Sequence, residues 1–182
     1  DLKTFEGPFK AYEHSERSFG ESDFWAPEVV FHDGQFIMHY SARDPKEARL
    51  KIGVAVSKSP LGPFIDVYEK QPMFDLGYAI IDGHVFIDDD QTPYFYFVRD
   101  CSEHKYFDHY ESHMYVSKLS KDLLSLEGEI KKILQPEQAW ETNSGTHRWN
   151  EGPFVLKRDG IYYLMYSANF FASKEYAIGY AT

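Results

Sequence analysis

The sequence predicts an all-β fold, with four-stranded antiparallel blades of a β-propeller set around an axial funnel. Three observations predict it. Short apolar runs meet at Asp33-Gly34 and at Asp159-Gly160, and Asp-Gly between such runs is a strong hairpin signal. The same grammar recurs a third time around the acidic turn Asp88-Asp89-Asp90. No stretch long enough for a helix repeats its apolar residues every 3.6 positions.

Aligning the three copies on Asp33, Asp90 and Asp159 makes Trp25, Asp82 and Glu151 equivalent. Each stands at a strand start, two residues before Pro27, His84 or Pro153. Trp25 to Asp82 is 57 residues and Asp82 to Glu151 is 69. Repeats of this size suit propeller blades with long loops.

The elements follow in order. Residues 1–10 resemble Asp122 to Ile130 and read as the tail of a preceding blade. In that register Glu6 matches Glu127, so Glu6-Gly7-Pro8 is an outer-strand segment despite sharing its letters with Glu151-Gly152-Pro153. The first repeat has strands near 26–31, 35–42, 50–57 and 63–69. The second has strands near 81–86, 94–98, 114–119 and 127–134, with a long loop over 99–110 that is rich in His, Asp and aromatics. The third follows a second long loop over 135–150, and its closing strand, Tyr176 to Thr182, echoes Lys51 to Ser57. One partial propeller domain over 1–182 results: a tail at 1–20, blades at 21–75 and 76–140, and an incomplete blade at 141–182. An open array would expose sheet edges. The remaining blades are therefore expected from the same parent chain or from another chain.

Composition narrows the partners. The net charge is −10, which argues against nucleic acid and anionic membrane, since phosphate binding wants a basic face. Aromatics make up 18% of the chain, which suits both strands and sugar-binding surfaces. A neutral oligosaccharide or polysaccharide is the expected partner. The one cysteine, Cys101, excludes an intrachain disulfide and a cysteine metal cluster; with no base or partner in view it reads as inert. No apolar run approaches the roughly 18 residues of a membrane span, so no membrane insertion is expected. The compartment stays open, with an extracellular or periplasmic setting slightly favoured over the cytoplasm.

Innermost strands of a propeller line its axis, so equivalent strand starts converge at one mouth. Asp82 and Glu151 would then share a funnel. Two carboxylates facing a pocket are the minimum for glycoside hydrolysis: one protonates the departing oxygen, and another serves as base or nucleophile. Burial and a neighbouring negative charge can keep the first protonated near neutral pH. Trp25 and Trp149 offer flat apolar faces to sugar rings, and Arg99 stands in a mouth loop as a substrate contact. Blander readings stand beside these. An acid followed by glycine can be turn chemistry alone, Trp25 can be packing, and Asp88 to Asp90 read as a hairpin turn. His104, His109 and His113 read as loop or surface residues.

Five motifs in order carry a resemblance. They are Trp25-Ala26-Pro27-Glu28-Val29, Ile52 to Phe64, Ile81-Asp82-Gly83-His84-Val85-Phe86, Asn150-Glu151-Gly152-Pro153, and Ile178-Gly179-Tyr180-Ala181-Thr182. Together they resemble glycoside hydrolase family 43, the five-bladed propeller arabinanases, arabinofuranosidases and xylosidases. The resemblance implies about three of five blades and an inverting hydrolase acting on arabinose- or xylose-containing plant polysaccharides or oligosaccharides. It implies that Glu151 is the general acid and that Asp82 tunes and orients it. The general base would lie on a blade outside this sequence, so the 182 residues alone are expected to be inactive. No cofactor is expected, and an axial calcium or sodium ion would take its ligands from outside this chain. Gly83 stands where many relatives have Pro. Two other readings remain: a non-catalytic carbohydrate-binding propeller, and a related five-bladed fructosidase or glycoside phosphorylase. The last would use basic groups such as Arg43, Arg99 and Arg148.

Overall fold

The computed structural model describes residues 3–143 and 145–182. Asp1 and Leu2, at the start of the expected tail, lie outside the described residues. The strands among the described residues are β1 (Ser22–His32), β2 (Gln35–Asp44), β3 (Arg49–Ser57), β4 (Ile65–Asp66), β5 (Ile80–Ile87), β6 (Pro93–Arg99), β7 (Lys105–Tyr106), β8 (His109–Glu111), β9 (His113–Lys118), β10 (Lys131–Leu134), β11 (His147–Arg148), β12 (Asn150–Arg158), β13 (Ile161–Ala168) and β14 (Ala177–Ala181). One 3-10 turn, Ala139–Glu141, is the helical element among the described residues.

The strands form two four-stranded sheets, β1-β2-β3-β4 and β5-β6-β9-β10, and a three-stranded sheet, β12-β13-β14. Each is an antiparallel meander of the kind a propeller blade requires. Alternating side chains fill the space between neighbours. Ile37, Ile52 and Val54 of the first sheet pack with Val85, Phe95 and Phe97 of the second. Ile81, Val98 and Met114 of the second pack with Tyr166 and Ala168 of the third. Such burial is worth about 1.5–3 kcal/mol per large side chain. The outer strand expected over 63–69 is only two residues long, because Phe64 instead gives its N–H to Ala11 and bridges to Tyr12.

Two hairpins follow their sequence signals. Asp33 and Gly34 have φ of 47° and 76°, and Asp159 and Gly160 have 52° and 77°. Positive φ at both central residues is the type I′ turn that matches strand twist. The second sheet differs. Its loop has three residues, Asp89 to Gln91, closed by the Asp88 N–H to the Thr92 carbonyl at 3.0 Å, with Gln91 at φ 67°.

That extra residue corrects the sequence alignment by one position. Each inner strand carries a bulge: two residues oppose one between Trp25 and Glu28, between Ile81 and His84, and between Glu151 and Phe154. The first bulged residue has positive φ in all three, at Ala26 (44°), Asp82 (56°) and Gly152 (60°). Asp82 is therefore the counterpart of Ala26 and Gly152, while Ile81 matches Trp25 and Glu151. Anchoring on Asp90 instead of Asp89 hid this offset.

A fourth sheet was not legible. The short strands β7 and β8 pair antiparallel, and β8 pairs parallel with β11, aligning Glu111 with Arg148. It ties the loop after β6 to the segment leading into β12. His104, His109 and His113, expected as loop or surface residues, are all buried; His104 lies in the loop before β7, while His109 and His113 lie on β8 and β9. The fully buried Glu111 accepts hydrogen bonds from His109 Nε2 at 2.7 Å and His113 Nε2 at 2.6 Å. A buried carboxylate needs such partners, and two imidazoles from its own loop supply them.

Candidate active site

A cavity of about 640 Å³ opens where the three inner strands begin. Its wall includes Trp25, Arg43, Asp82, Asp100, Cys101, Trp149, Glu151 and Phe171. The sequence expectation that Asp82 and Glu151 converge therefore holds in the geometry, with Trp25 and Trp149 beside them. Arg99 is not part of this wall. Its guanidinium lies 4.3 Å from the Tyr78 ring centroid, and its buried Nε has no hydrogen-bond partner.

Asp82 owes its place to the bulge. Residues in the left-handed region are uncommon, though Asp tolerates it better than most, and here it re-aims the side chain out of the β alternation. Ser41 Oγ accepts the Asp82 N–H at 3.0 Å, so the neighbouring sheet holds the backbone. The Asp82 carboxylate accepts the Gly152 N–H at 2.9 Å, which presses it against the strand that carries Glu151. Next to Asp82, a Cβ on Gly83 would stand 2.4 Å from the buried Phe95 ring, so glycine is needed for that approach.

The surroundings push both acids upward. Burial raises the Asp82 carboxyl to about 6, with Asp100 adding to the rise and the Gly152 N–H opposing it. Burial raises Glu151 to about 7, with the Asp82 charge next in size. Tyr176 donates its hydroxyl to Glu151 Oε1 at 2.9 Å, which orients the carboxyl and partly counters the rise. Two carboxyls with such values form a pair able to act as a proton donor and a charged neighbour near neutral pH. Burial pushes the Cys101 thiol up to about 12, which disfavours its thiolate.

An aromatic row forms another side. Tyr110 and His147 stack with centroids 5.0 Å apart and planes 8° apart. His147 stacks on Trp149 at 5.8 Å and 25°, and Phe170 meets Trp149 at 5.4 Å. Sequence reasoning found Trp149 but missed its brace, as well as Asp100, Tyr176 and Phe171. Their only signal was membership of loops adjoining the acids. No group of three or more His, Cys, Asp or Glu side chains among the described residues could hold a metal ion.

Comparison with known proteins gives the family. The family model described as glycosyl hydrolases family 43 matches residues 1–182. The xylosidase/arabinosidase 43A of Humicola insolens is 32% identical over 168 residues, covering 79% of this chain and 50% of that protein. The β-xylosidase of Xylanibacter ruminicola is 30% identical over 178 residues, covering 87% and 54%. Among solved structures, a thermostable family-43 glycoside hydrolase superposes with a TM-score of 0.87 at 50% identity, over 93% of this chain and 54% of that one. The chain thus spans about half the length of the relatives it matches. With the family model matched end to end, and two raised acids on adjoining inner strands of a propeller, this chain belongs to glycosyl hydrolases family 43.

Proposed function

We propose that the protein carrying this chain is a glycosidase that hydrolyses arabinose- or xylose-containing oligosaccharides or polysaccharides, with inversion. The observation that carries this reading is the meeting of Asp82 and Glu151 in one cavity, with the Asp82 carboxylate held on the Gly152 N–H. Glu151 keeps its proton near neutral pH because it is buried beside the Asp82 charge. It delivers that proton to the glycosidic oxygen as the bond breaks. Asp82 ionises first, and its charge then holds the Glu151 proton in place. The water-activating base is assigned to a part of the protein outside this chain. Trp25 and Trp149 supply apolar faces for the sugar.

The names of the relatives support the substrate class, since those proteins are described as xylosidase/arabinosidase and β-xylosidase. The charge of the wall supports a neutral sugar over an anion. Among the described residues Arg43 is the arginine on it, and its guanidinium is already committed to Asp23 and the Ala48 carbonyl. A phosphorylase, which must hold phosphate against three carboxylates, fits this wall poorly.

Turnover of an aryl xyloside, an aryl arabinofuranoside and arabinan by the full-length protein tests the reading. Glu151→Gln should lower activity on the accepted substrate on the order of 100-fold or more. Wild-type turnover by that variant refutes the role given to Glu151.

A further inference from the structure

Asp100 is a buried acid that the reaction as described does not use. It follows β6, and its N–H is bonded to the Ala79 carbonyl at 2.9 Å, just before β5. Its side chain lines the same cavity as Asp82 and Glu151. One of its oxygens accepts the Ser102 N–H at 3.0 Å, and the Cys101 N–H is tied to Ser112 Oγ at 3.1 Å. The carboxylate is thus fixed at the cavity wall by its own loop. No salt bridge to a basic side chain neutralises it among the described residues.

We infer that Asp100 is a third acid of this site, a positioning residue that acts through Asp82 and Glu151 by holding a fixed negative charge behind them. The inference rests on the glycosidase reading above. The charged and titratable groups sharing the cavity with Asp100 are Asp82 from β5, Glu151 from β12, Arg43 from β2, His147 from β11 and the adjacent Cys101. Arg43 is paired with Asp23, so it leaves the three carboxylates largely uncompensated. In a partly desolvated cavity like charges act over longer range than in water. The directions agree: Asp100 raises Asp82, Glu151 and Cys101 alike. A purely structural role is the competing account, because an Asp accepting the N–H two residues on is an ordinary loop device.

Asp100→Asn separates the two. Asparagine keeps an oxygen for the Ser102 N–H and removes the charge. In the full-length enzyme this variant should move the alkaline limb of kcat/KM down by roughly 0.5–1 pH unit. KM should stay within about twofold, and carbon NMR of labelled carboxyls should show Glu151 titrating lower by the same amount, its signal assigned by loss in Glu151→Gln. Asp100→Ala should shift the limb equally and also lower Tm. An unmoved limb and an unmoved Glu151 titration in a folded Asp100→Asn protein overturn the inference. They leave the glycosidase reading intact as long as Glu151→Gln remains impaired.

Discussion

The Asp82 carboxylate accepts the Gly152 N–H at 2.9 Å, so the acid proposed to tune the site rests, from one blade, on the backbone next to the proposed proton donor of another. This contact makes a specific demand on position 82. The residue must adopt φ of 56° and present an acceptor oxygen. Asp82→Asn meets both demands and loses only the charge. It should draw the Glu151 carboxyl downward, move the alkaline limb of the pH–rate profile to lower pH, and cut kcat at pH 7 by roughly 10–100-fold, with KM little changed. Steady-state kinetics from pH 4 to 9 give the answer. Asp82→Ala should lose the acceptor too, and should cost about 1–2 kcal/mol more in stability from its strained φ.

The raised acids also set how stability depends on pH. Both carboxyls hold protons more tightly folded than unfolded. The folded state therefore binds more protons, and stability falls as pH rises from about 4, the ordinary carboxyl value, through about 7. Glu151→Gln removes one of these acids. Its Tm should exceed that of the wild type at pH 8, by the equivalent of roughly 1–2 kcal/mol once solvent screening of a partly exposed group is allowed for. The gap should close near pH 4. Thermal melts at both pH values check this, and a gap independent of pH would contradict it.

The seam behind the cavity is held by one imidazole. His84 Nδ1–H donates to Glu28 Oε2 at 2.7 Å, and His84 Nε2 accepts the Val155 N–H at 2.9 Å. The second Glu28 oxygen accepts the Val85 N–H at 3.1 Å. Three sheets thus meet in one largely buried chain of hydrogen bonds, with Glu28 at its half-exposed end. His84→Ala strands the Val155 N–H and half of Glu28, and should cost about 2–4 kcal/mol. Urea melts measure this. A loss below 0.5 kcal/mol, on the order of one exposed contact, would show that the seam does not depend on His84.

Trp149 is held in its plane by His147, itself stacked on Tyr110. His147→Ala should free the indole and raise KM roughly 3–10-fold, the effect of losing about 1 kcal/mol of preorganised stacking. The kcat value should stay near that of the wild type, because the acids are untouched. Tyr110→Phe keeps the stack and should be silent, whereas Tyr110→Ala should reproduce part of the effect.

Local chemistry was legible in the sequence and distant pairing was not. Asp33-Gly34 and Asp159-Gly160 announced their hairpins because only a few residue types accept positive φ twice in succession. Asp82 and Glu151 were reachable by counting from those turns. The count slipped by one at Asp89, where a three-residue loop replaces a two-residue one, and the bulge at Asp82 still brought its side chain to the cavity. The partners of these acids came from elsewhere. Tyr176 reaches Glu151 from the loop before β14, and Glu111 meets β11 across 36 intervening residues. Arg99 was expected in a mouth loop, but it is the last residue of β6, and its direction depends on Tyr78.

The central claim is that Glu151 gives a proton to the departing oxygen under the influence of Asp82, and leaving-group dependence tests it most directly. The measurement is kcat/KM of wild type and Glu151→Gln, in the full-length enzyme, on a dinitrophenyl glycoside and on the matching disaccharide. A dinitrophenolate departs without a proton, whereas a sugar alkoxide does not. The account predicts a loss on the order of 100-fold or more on the disaccharide and a loss within about tenfold on the dinitrophenyl substrate. Equal losses on both would contradict it.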